Sequence, residues 1–456
     1  MPDHADPSRS FDRLSRQVKR AGVTMLGHGT VGRGVVKVLA GRGRTLREKL
    51  GLQLDLRHVV VRDSSRHQDA AGLPLITDAA AAIDDPQVTV VLELIGGTGD
   101  ARQHVLRALR AGKHVVTANK ALLAAHGPEL FSVAREHGVS LAFEASCAGG
   151  IPIVGALLGG LLANRVDALV GILNGTSNVI LSAMTDAGQS YADALKDAQD
   201  AGFAEADPSL DVNGGDAAQK LSILAGLAFG EHVPPGKVHT EGIDRLDPQD
   251  IAFAGELGYV VKLLATAERD QDGRCSLSVF PGLLPTGDAM ADVKGPFNAV
   301  ATYGDALGRA LFVGRGAGML PTASAVVADL VAVANGTYPL AFSQLGTLPD
   351  LAGPADVLPF EQTSHRYYLR ITARDVPGVL AGVTRCLGDA GISLSGLTQH
   401  EPTEDAAGEW VPVIVTTHRA RELSMQQAVA AIDNLAGVKP SSTVLRIIDM
   451  PSESDA

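Results

Sequence analysis

Four carboxylates lie within twelve residues of one another near the middle of this chain: Glu205, Asp207, Asp211 and Asp216. Proline, asparagine and glycine residues mark this segment as a loop, and the apolar run after Asp216 predicts a helix. Lys220 follows Asp216 by four residues, so the two side chains share one helix face. An acidic loop that delivers a lysine suits a small zwitterion, because carboxylates bind an ammonium group and a lysine donates a proton to a reacting oxygen.

Two simpler interpretations of this segment need no substrate. In one, Asp216 only caps the helix and pairs with Lys220 on a solvated face, which stabilises a helix by roughly a few tenths of a kcal/mol. In the other, Asp211 and Asn213 belong to a calcium loop. Lys220 occupies the position where such a loop needs a bidentate glutamate, which excludes calcium.

A glycine pattern near the amino terminus predicts a nucleotide site. The apolar segment 21–27 reads as a strand, and Gly27, Gly29 and Gly32 follow at the spacing GxGxxG before a helix that begins near Thr30 and Val31. Gly27 permits a tight turn, Gly29 lets a pyrophosphate approach, and Gly32 lets the helix pack on the strand. The helix amino terminus then faces the phosphates. An ordinary strand-to-helix turn remains the alternative.

The end of the next predicted strand, 54–62, bears on cofactor choice. Arg62 stands where an NAD-specific protein places a carboxylate on the ribose, which favours the 2′-phosphate of NADP. Asp63 leaves NAD as an alternative, and Arg62 could also be ordinary surface charge.

Alternating strands and helices continue to residue 144 and predict an α/β Rossmann-like domain. Thr98 follows the strand 88–95, and Lys120 follows the strand 114–117. The carboxyl ends of parallel strands line the cofactor crevice, so Thr98 and Lys120 are expected beside the nicotinamide.

The segment from Ala198 to Lys220, with Gly202-Phe203-Ala204-Glu205-Ala206-Asp207-Pro208 and Asn213-Gly214-Gly215-Asp216, resembles the signature of homoserine dehydrogenases. The tetrapeptide Thr117-Ala118-Asn119-Lys120 is similar to one in the same family. The resemblance implies reduction of L-aspartate 4-semialdehyde to L-homoserine with NAD(P)H, a step of threonine, methionine and isoleucine biosynthesis. The chain is expected to be monofunctional, because its length leaves no room for a kinase segment before the glycine pattern.

The resemblance also implies roles for individual residues. Lys220 is the candidate proton donor, and Lys120 polarises the carbonyl from across the site; mutual repulsion of two ammonium groups lowers both pKa values. Glu205 is expected to bind the substrate ammonium, with Asp211 and Asp216 positioning the substrate and Lys220. Which lysine transfers the proton stays open. The substrate carboxylate is assigned to the strand end Asn174-Gly175-Thr176, and Gly316 to the nicotinamide.

The turn after the strand 140–144 is expected to bind sodium through main-chain carbonyls. Carried over by position from the resembled family, these belong to Glu144, Cys147, Gly149 and Ile151. Cys147 also suggests the nucleophilic thiol of a semialdehyde dehydrogenase. No histidine lies nearby in the sequence to activate it, which disfavours that interpretation.

A Pro- and Gly-rich linker, 343–364, separates a carboxyl-terminal βαββαβ pattern from the rest. With Arg374-Asp375-Val376-Pro377-Gly378 at its first turn, this pattern resembles the ACT regulatory domain. The resemblance implies feedback by threonine through Asp375, Pro377 and Gly378. A purely structural oligomerisation domain is the alternative.

The predicted organisation has six parts. They are a mobile amino-terminal extension (1–20), a discontinuous Rossmann-like domain (21–145 and about 315–342), an α+β catalytic and dimerisation domain (146–314), the linker (343–364), a ferredoxin-like ACT domain (365–450) and a tail (451–456). The family and the ACT pattern favour a homodimer or homotetramer. The alternatives are another Rossmann-fold semialdehyde or amino-acid dehydrogenase, and a non-catalytic amino-acid-sensing ACT protein.

Composition narrows the class of protein further. The chain has 456 residues, a net charge of −12 and three cysteines. The negative charge argues against nucleic acid or an anionic membrane as a partner. No secretory signal is evident, and three widely spaced cysteines suit a reducing cytoplasm. The charge-free stretch 145–164 is long enough to span a membrane, but Pro152 and its glycines favour a loop and a buried helix.

Overall fold

The computed structural model describes residues 18–67, 70, 72–399 and 410–451. Most of the predicted extension 1–20, and residues 452–456 of the predicted tail, lie outside these ranges. The described chain divides into two compact units. The first runs to Ser146 and resumes over Gly318–Gly346; the second comprises Cys147–Ala317 and the chain from Thr347 onward.

The first unit opens as an alternation of strands and helices. In chain order its elements are β1 Lys19–Leu26, α1 Thr30–Leu50, β2 Leu52–Val60, β3 Leu75–Ile76, α2 Ala79–Asp84, β4 Val90–Glu93, α3 Asp100–Arg110, β5 His114–Thr117, α4 Lys120–Glu136 and β6 Leu141–Ala142. The strands pair in the order β3-β2-β1-β4-β5-β6, and every pair is parallel. The order reverses between β1 and β4, and the crevice of a doubly wound sheet opens at such a point.

The second unit follows from Cys147, except for two later helices. In chain order the elements are α5 Ile153–Gly155, β7 Val166–Ile172, α6 Gly175–Ala187, α7 Tyr191–Asp200, α8 Ser209–Val212, α9 Gly215–Phe229, β8 His239–Thr240, α10 Pro248–Glu256, β9 Tyr259–Arg269, β10 Cys275–Pro285, β11 Phe297–Gly304, β12 Gly308–Arg315, α11 Met319–Asn335, α12 Thr337–Gln344, β13 Ser364–Arg374, α13 Val379–Asp389, β14 Leu394–Gln399, β15 Trp410–Thr417, β16 Ala420–Arg421, α14 Glu422–Asp433 and β17 Val438–Ile447.

Helices α11 and α12 return to the first unit. Ala323, Val326 and Leu330 of α11 lie in one buried cluster with Val23 of β1 and Leu92 of β4. The apolar face of α11 therefore completes the core over the parallel sheet.

Among the described residues no single helix is long and apolar enough to cross a membrane; α11 and α12, bent by 83°, satisfy length and composition only as a joined pair. The charge-free stretch 145–164 holds the end of a 3₁₀ turn, Glu144–Ser146, then α5 and a π-helical turn, Ala156–Gly160.

One sheet runs through the whole second unit. Its described strands follow the order β12-β11-β7-β9-β10-β17-β13-β15-β14. Strands β13, β14, β15 and β17, with α13 and α14, form the βαββαβ arrangement expected of an ACT domain. Its last strand pairs in parallel with β10 at Gly282–Arg446 and Leu283–Ile447. The carboxyl-terminal strands thus extend the catalytic sheet.

The predicted linker is held against β10 and its surroundings. Cys275 of β10 donates its backbone N–H to Asp356 and accepts one from Leu358, both at 2.8 Å. Phe360 and Ile448 are buried in the same cluster as Leu264 of β9 and Phe280 of β10. Chain that reads as a flexible connection from its Pro and Gly content therefore contributes to the core.

Candidate functional site

The glycine turn after β1 has the geometry of a phosphate loop. Gly27 has φ +100°, and a Cβ there would lie 2.8 Å from the carbonyl oxygen of Leu94. A Cβ on Gly32 would lie 2.5 Å from the carbonyl oxygen of Gly27, whereas one on Gly29 would meet nothing within 4 Å. The turn is therefore closed toward the sheet and open at Gly29, where a phosphate could approach the first amides of α1.

A cavity of about 550 Å³ lies beside this turn and continues past the end of β2. Arg33, Arg62 and Arg66 line it together with His28 and His67. Basic side chains around an open glycine turn suit a dinucleotide with several phosphates.

The carboxylate of Asp63 is engaged locally. It accepts hydrogen bonds from the backbone N–H of Ser65 at 3.0 Å and from its hydroxyl at 2.6 Å, and it lies 3.3 Å from the guanidinium of Arg66. The bonds from Ser65 lower the pKa of Asp63. An anionic carboxylate that already accepts these donors is less available to a ribose hydroxyl, and Arg62 beside it stays exposed.

A carboxylate that the sequence analysis did not single out organises the ends of β4 and β5. Glu93 is fully buried and accepts hydrogen bonds from the amides of Ile95 and Gly96 and from the hydroxyl of Thr117. Asn119 caps α4 and donates to the carbonyl of Gly97 at 2.7 Å. These bonds fix Lys120 as the first residue of α4, directly past β5, and leave Thr98 exposed in the opposing turn.

The predicted sodium ligands fall on both sides of the division between the units. Glu144, in the first unit, is buried, and its backbone N–H donates to Asp329 of α11 at 2.8 Å. Burial raises the pKa of Asp329 to about 8. In the second unit, Ala148 and Gly149 adopt left-handed φ of 52° and 53° within a buried turn that also holds Cys147 and Ile151.

A turn of this kind exposes main-chain carbonyls, which are ligands that hard cations accept. No group of three or more His, Cys, Asp or Glu side chains suited to a metal occurs within the described ranges. Cys147 is 0 % exposed, which disfavours it as an attacking thiol.

In the second unit, three residues of the acidic segment meet the strand end predicted to hold the substrate. The side-chain amide of Asn174 donates to Asp211 at 2.7 Å and to Asp216 at 2.9 Å. The ammonium of Lys220 donates to Asp216 at 2.8 Å and to the carbonyl of Leu173 at 2.7 Å. We refer to Asn174, Asp211, Asp216 and Lys220 as the lysine cluster.

Lys220 is held more firmly than a surface lysine. It is 8 % exposed, and Asp216 is 5 % exposed. Two of the three ammonium protons bond to Asp216 and Leu173, so within the described part of the chain one proton remains for a substrate oxygen. The four-residue spacing places the pair on one face of α9, and β7 brings Leu173 and Asn174 to that face.

Other predicted substrate residues lie outside the lysine cluster. Glu205 is exposed, and among the described residues only its backbone carbonyl has a hydrogen-bond partner, Gln199 at 3.0 Å. Thr176 donates its hydroxyl to the carbonyl of Phe203 at 2.8 Å, and Gly175 begins α6. Asn174 caps that helix through its Oδ1, so both ends of its amide bond to protein.

A buried amide that sequence reasoning missed lies against Gly316. Asn298 of β11 is fully buried, and neither polar atom of its side chain has a partner among the described residues. A Cβ on Gly316 would lie 2.0 Å from this amide, and one on Gly175 would lie 3.5 Å from its oxygen. Close approach therefore requires glycine at 316. Nothing in the local pattern around Asn298 indicates this, because pairing of β11 with β12 creates the contact.

The predicted regulatory residues surround the first turn of the ACT fold. Asp375 is half-buried and accepts a hydrogen bond from Gln399 of β14 at 2.9 Å. Gly378 has φ +98° at the start of α13, and Pro377 before it is exposed.

Strand β17 links the ACT fold to the acidic segment. Arg446 is 5 % exposed and donates to Glu422 of α14 at 2.7 and 3.0 Å and to Glu241 after β8 at 2.8 Å. Burial alone would raise the pKa of Glu241, but hydrogen bonds from His239 and Arg446 lower it to about 2. The next residues pack on the acidic segment, where Ile243 donates its N–H to Val212 at 2.9 Å.

Comparison with known protein families gives three matches along the chain. The model for the NAD-binding domain of homoserine dehydrogenase matches residues 27–144, that for homoserine dehydrogenase matches 152–331, and that for the ACT domain matches 367–437. The homoserine dehydrogenase of Pseudomonas aeruginosa is 44% identical over 94% of this chain and 99% of its own length. That of Corynebacterium glutamicum is 40% identical over 93% and 95%.

Solved structures agree with these matches. A homoserine dehydrogenase from Thiobacillus denitrificans superimposes with a TM-score of 0.88 at 42% identity, covering 94% of this chain and 99% of that one. A hyperthermophilic archaeal homoserine dehydrogenase in complex with NADPH has a TM-score of 0.59 at 25% identity, covering 69% and 97%.

Proposed function

The chain belongs to the homoserine dehydrogenase family and is a nicotinamide-dependent oxidoreductase that interconverts L-aspartate 4-semialdehyde and L-homoserine, and on that premise we propose how its residues carry the reaction. The observation that supports the proposal is the lysine cluster, in which a buried ammonium group keeps one proton to donate.

The nicotinamide cofactor supplies the hydride; the protein positions the aldehyde and manages one proton. Lys220 donates that proton to the oxygen on which charge develops. Asp216 and the carbonyl of Leu173 hold its ammonium in place. Asn174 orients the carboxylates of Asp211 and Asp216 by donating a hydrogen bond to each.

Further substrate contacts complete the proposed site. Glu205 binds the substrate ammonium, for which its exposed carboxylate is available. The first amides of α6, at Gly175 and Thr176, bind the substrate carboxylate, since helix amino termini favour anions. Lys120, fixed at the start of α4, polarises the aldehyde carbonyl, and Gly316 lies beside the nicotinamide.

Substitution of Lys220 tests the proton step. We expect Lys220→Ala to lower kcat for NADPH-dependent reduction of aspartate semialdehyde by about a hundredfold or more, the usual scale for a general acid. Lys196→Ala, an exposed lysine of α7, should leave kcat unchanged. Near-normal kcat in a folded Lys220→Ala variant would remove Lys220 from the mechanism.

NADP is the proposed preferred cofactor, with Arg62 on its 2′-phosphate, and the engaged carboxylate of Asp63 supports this choice over NAD. We expect Arg62→Ala to raise KM for NADPH roughly tenfold more than KM for NADH, about one charge-assisted hydrogen bond. Arg44→Ala, an arginine of α1 with a side chain 90% exposed, is the control. An equal rise for both cofactors would contradict the assignment.

Three finer features complete the proposal. Sodium binds through main-chain carbonyls of Glu144, Cys147, Gly149 and Ile151, for which the left-handed turn is the support. Threonine binds the ACT fold near Asp375, Pro377 and Gly378, and calorimetry on the intact protein measures it. The active protein is a homo-oligomer, which light scattering measures.

A further inference from the structure

A polar patch interrupts the apolar face of the sheet in the second unit. Strands β9 and β10 pair so that Glu268 lies opposite Ser276 and Thr266 lies opposite Ser278. These four side chains share one face of the sheet because directly paired and alternate residues do so. The next pair on that face, Leu264 and Phe280, is buried in a hydrophobic cluster. The face thus changes from apolar to polar between the pair Leu264–Phe280 and the next pair, Thr266–Ser278.

This patch is the floor of a cleft of about 210 Å³. The linker forms one wall through Thr363 and Ser364, and Arg419 and Asp449 of the ACT region form another. The volume suits a molecule the size of a small amino acid. Since the walls come from the linker and the ACT region, the cleft exists only when the carboxyl-terminal strands are in place.

Glu268 lines this cleft with an exposed carboxylate. Among the described residues none donates a hydrogen bond to its carboxylate, although the side chain remains accessible to solvent. The protein atoms around it raise the pKa of Glu268, and the charge of Arg419 only partly opposes this effect. A carboxylate in such surroundings gains most from a ligand that brings a positive charge and N–H donors.

Arg419 supplies the opposite charge at the rim. Its guanidinium donates to the carbonyl of Ser364 at 3.0 Å and lies 3.9 Å from Asp449, a separation that leaves donors for another anion. Its side chain is 60% exposed. Within the described chain Arg419 and Glu268 form no ion pair, so the cleft presents both charges separately.

We propose that this cleft is a binding site for a small α-amino acid, whose ammonium group binds Glu268 and whose carboxylate binds Arg419. The hydroxyl groups of Thr266, Ser276 and Ser278 accept or donate hydrogen bonds beneath it; Thr266 and Ser278 already bond each other at 2.8 Å. The site lies apart from the lysine cluster and from the first ACT turn at Asp375, and it shares no residue with either.

Calorimetry on the intact protein tests the site with glycine, L-serine and L-threonine as probes. At least one of them should bind an Asp375→Ala protein, in which the proposed ACT-turn site is removed, and adding Glu268→Gln should weaken that binding roughly tenfold or more, the scale of one charge-assisted hydrogen bond. Glu361→Gln removes an exposed carboxylate of the linker outside the cleft and should bind normally. Unchanged dehydrogenase turnover in Glu268→Gln shows that the fold is intact.

Two matched compounds test the ligand class: 2-aminoethanol lacks the carboxylate of serine, and 3-hydroxybutyrate lacks the amino group of threonine. Both should bind at least tenfold more weakly than the parent amino acid. The proposal is overturned if none of the three amino acids binds the Asp375→Ala protein, if either truncated compound binds it as well as its parent, or if the binding seen in Asp375→Ala survives when Glu268→Gln is added. Binding that is lost in Asp375→Ala and kept in Glu268→Gln would assign the ligand to the ACT turn alone.

Discussion

A single amide holds two of the acidic side chains in the lysine cluster. Asn174 is uncharged and donates one hydrogen bond to each of the carboxylates of Asp211 and Asp216. We expect Asn174→Ala to lower kcat/KM for aspartate semialdehyde about 10–100-fold, because hydrogen bonds to charged groups contribute about 1.5–3 kcal/mol each. Steady-state kinetics measure the change, with Asn434→Ala as the control, an asparagine that bonds only within the exposed end of α14. A kcat/KM near that of the wild type would show that other groups orient the two carboxylates.

At this scale the sequence predicts contacts that depend on spacing along one element. Asp216 and Lys220 are four residues apart in α9 and bond as the spacing predicts. The role of Asn174 in binding substrate stays a prediction; its bonds to Asp211 and Asp216 do not follow from local spacing, because a distant strand end brings it to the helix. Glu93 and Asn298 were not predicted to be site residues. Their contacts, with Thr117 and Gly316, depend on the pairing of separate strands, which leaves no pattern in the local sequence.

Strand β17 connects two regions through one buried guanidinium. Arg446 neutralises both Glu422 and Glu241. We expect Arg446→Met to lower the free energy of unfolding by about 3–5 kcal/mol, because the buried carboxylate of Glu422 loses its charged partner and half-buried Glu241 keeps only His239. Urea denaturation measures it. Arg366→Met breaks a partly exposed pair with Asp449 and should cost about 1 kcal/mol or less. Equal losses in the two variants would mean that the buried network contributes little.

The type of an element, helix or strand, follows from its local sequence pattern. The boundaries between elements and the pairing of distant strands do not. Strand β5 matches its predicted range, and α9 begins one residue before its prediction. Helix α10 and strand β9 are separated at Gly258, where φ is +83°. The pairing of β10 with β17 could not be predicted, because the two strands are more than 150 residues apart and neither specifies its neighbour.

Protonation of His365 should affect the stability of the second unit as a whole. Burial lowers its pKa to about 4, below its ordinary value of 6.5. The unfolded chain therefore takes up this proton first, and the free energy of unfolding should fall as pH decreases from about 6.5 to about 4. His365→Phe keeps an aromatic ring beside Phe280 and Tyr367. Urea denaturation at several pH values should show the difference between wild type and variant narrowing toward pH 4; a constant difference would contradict the assignment.

Domain types, at the scale of the whole molecule, were accessible from the sequence, because the glycine pattern, the acidic signature and the βαββαβ pattern are each local. The grouping of those domains was not. The ACT strands belong to the same compact unit as β7 and β9–β12. Strand β17 pairs with β10, and Ile448 is buried in the same hydrophobic cluster as Phe280 of β10.

In this arrangement neither unit can complete its fold until a late segment of the chain has been synthesised. Domains usually fold in order as the nascent chain emerges. Here the first unit waits for α11, which begins at Met319, and the second waits for β17, which begins at Val438. Until β17 emerges, β10 lacks its neighbour on one edge of the sheet. An unpaired strand edge can pair with another chain, so a product that stops before β17 is expected to aggregate.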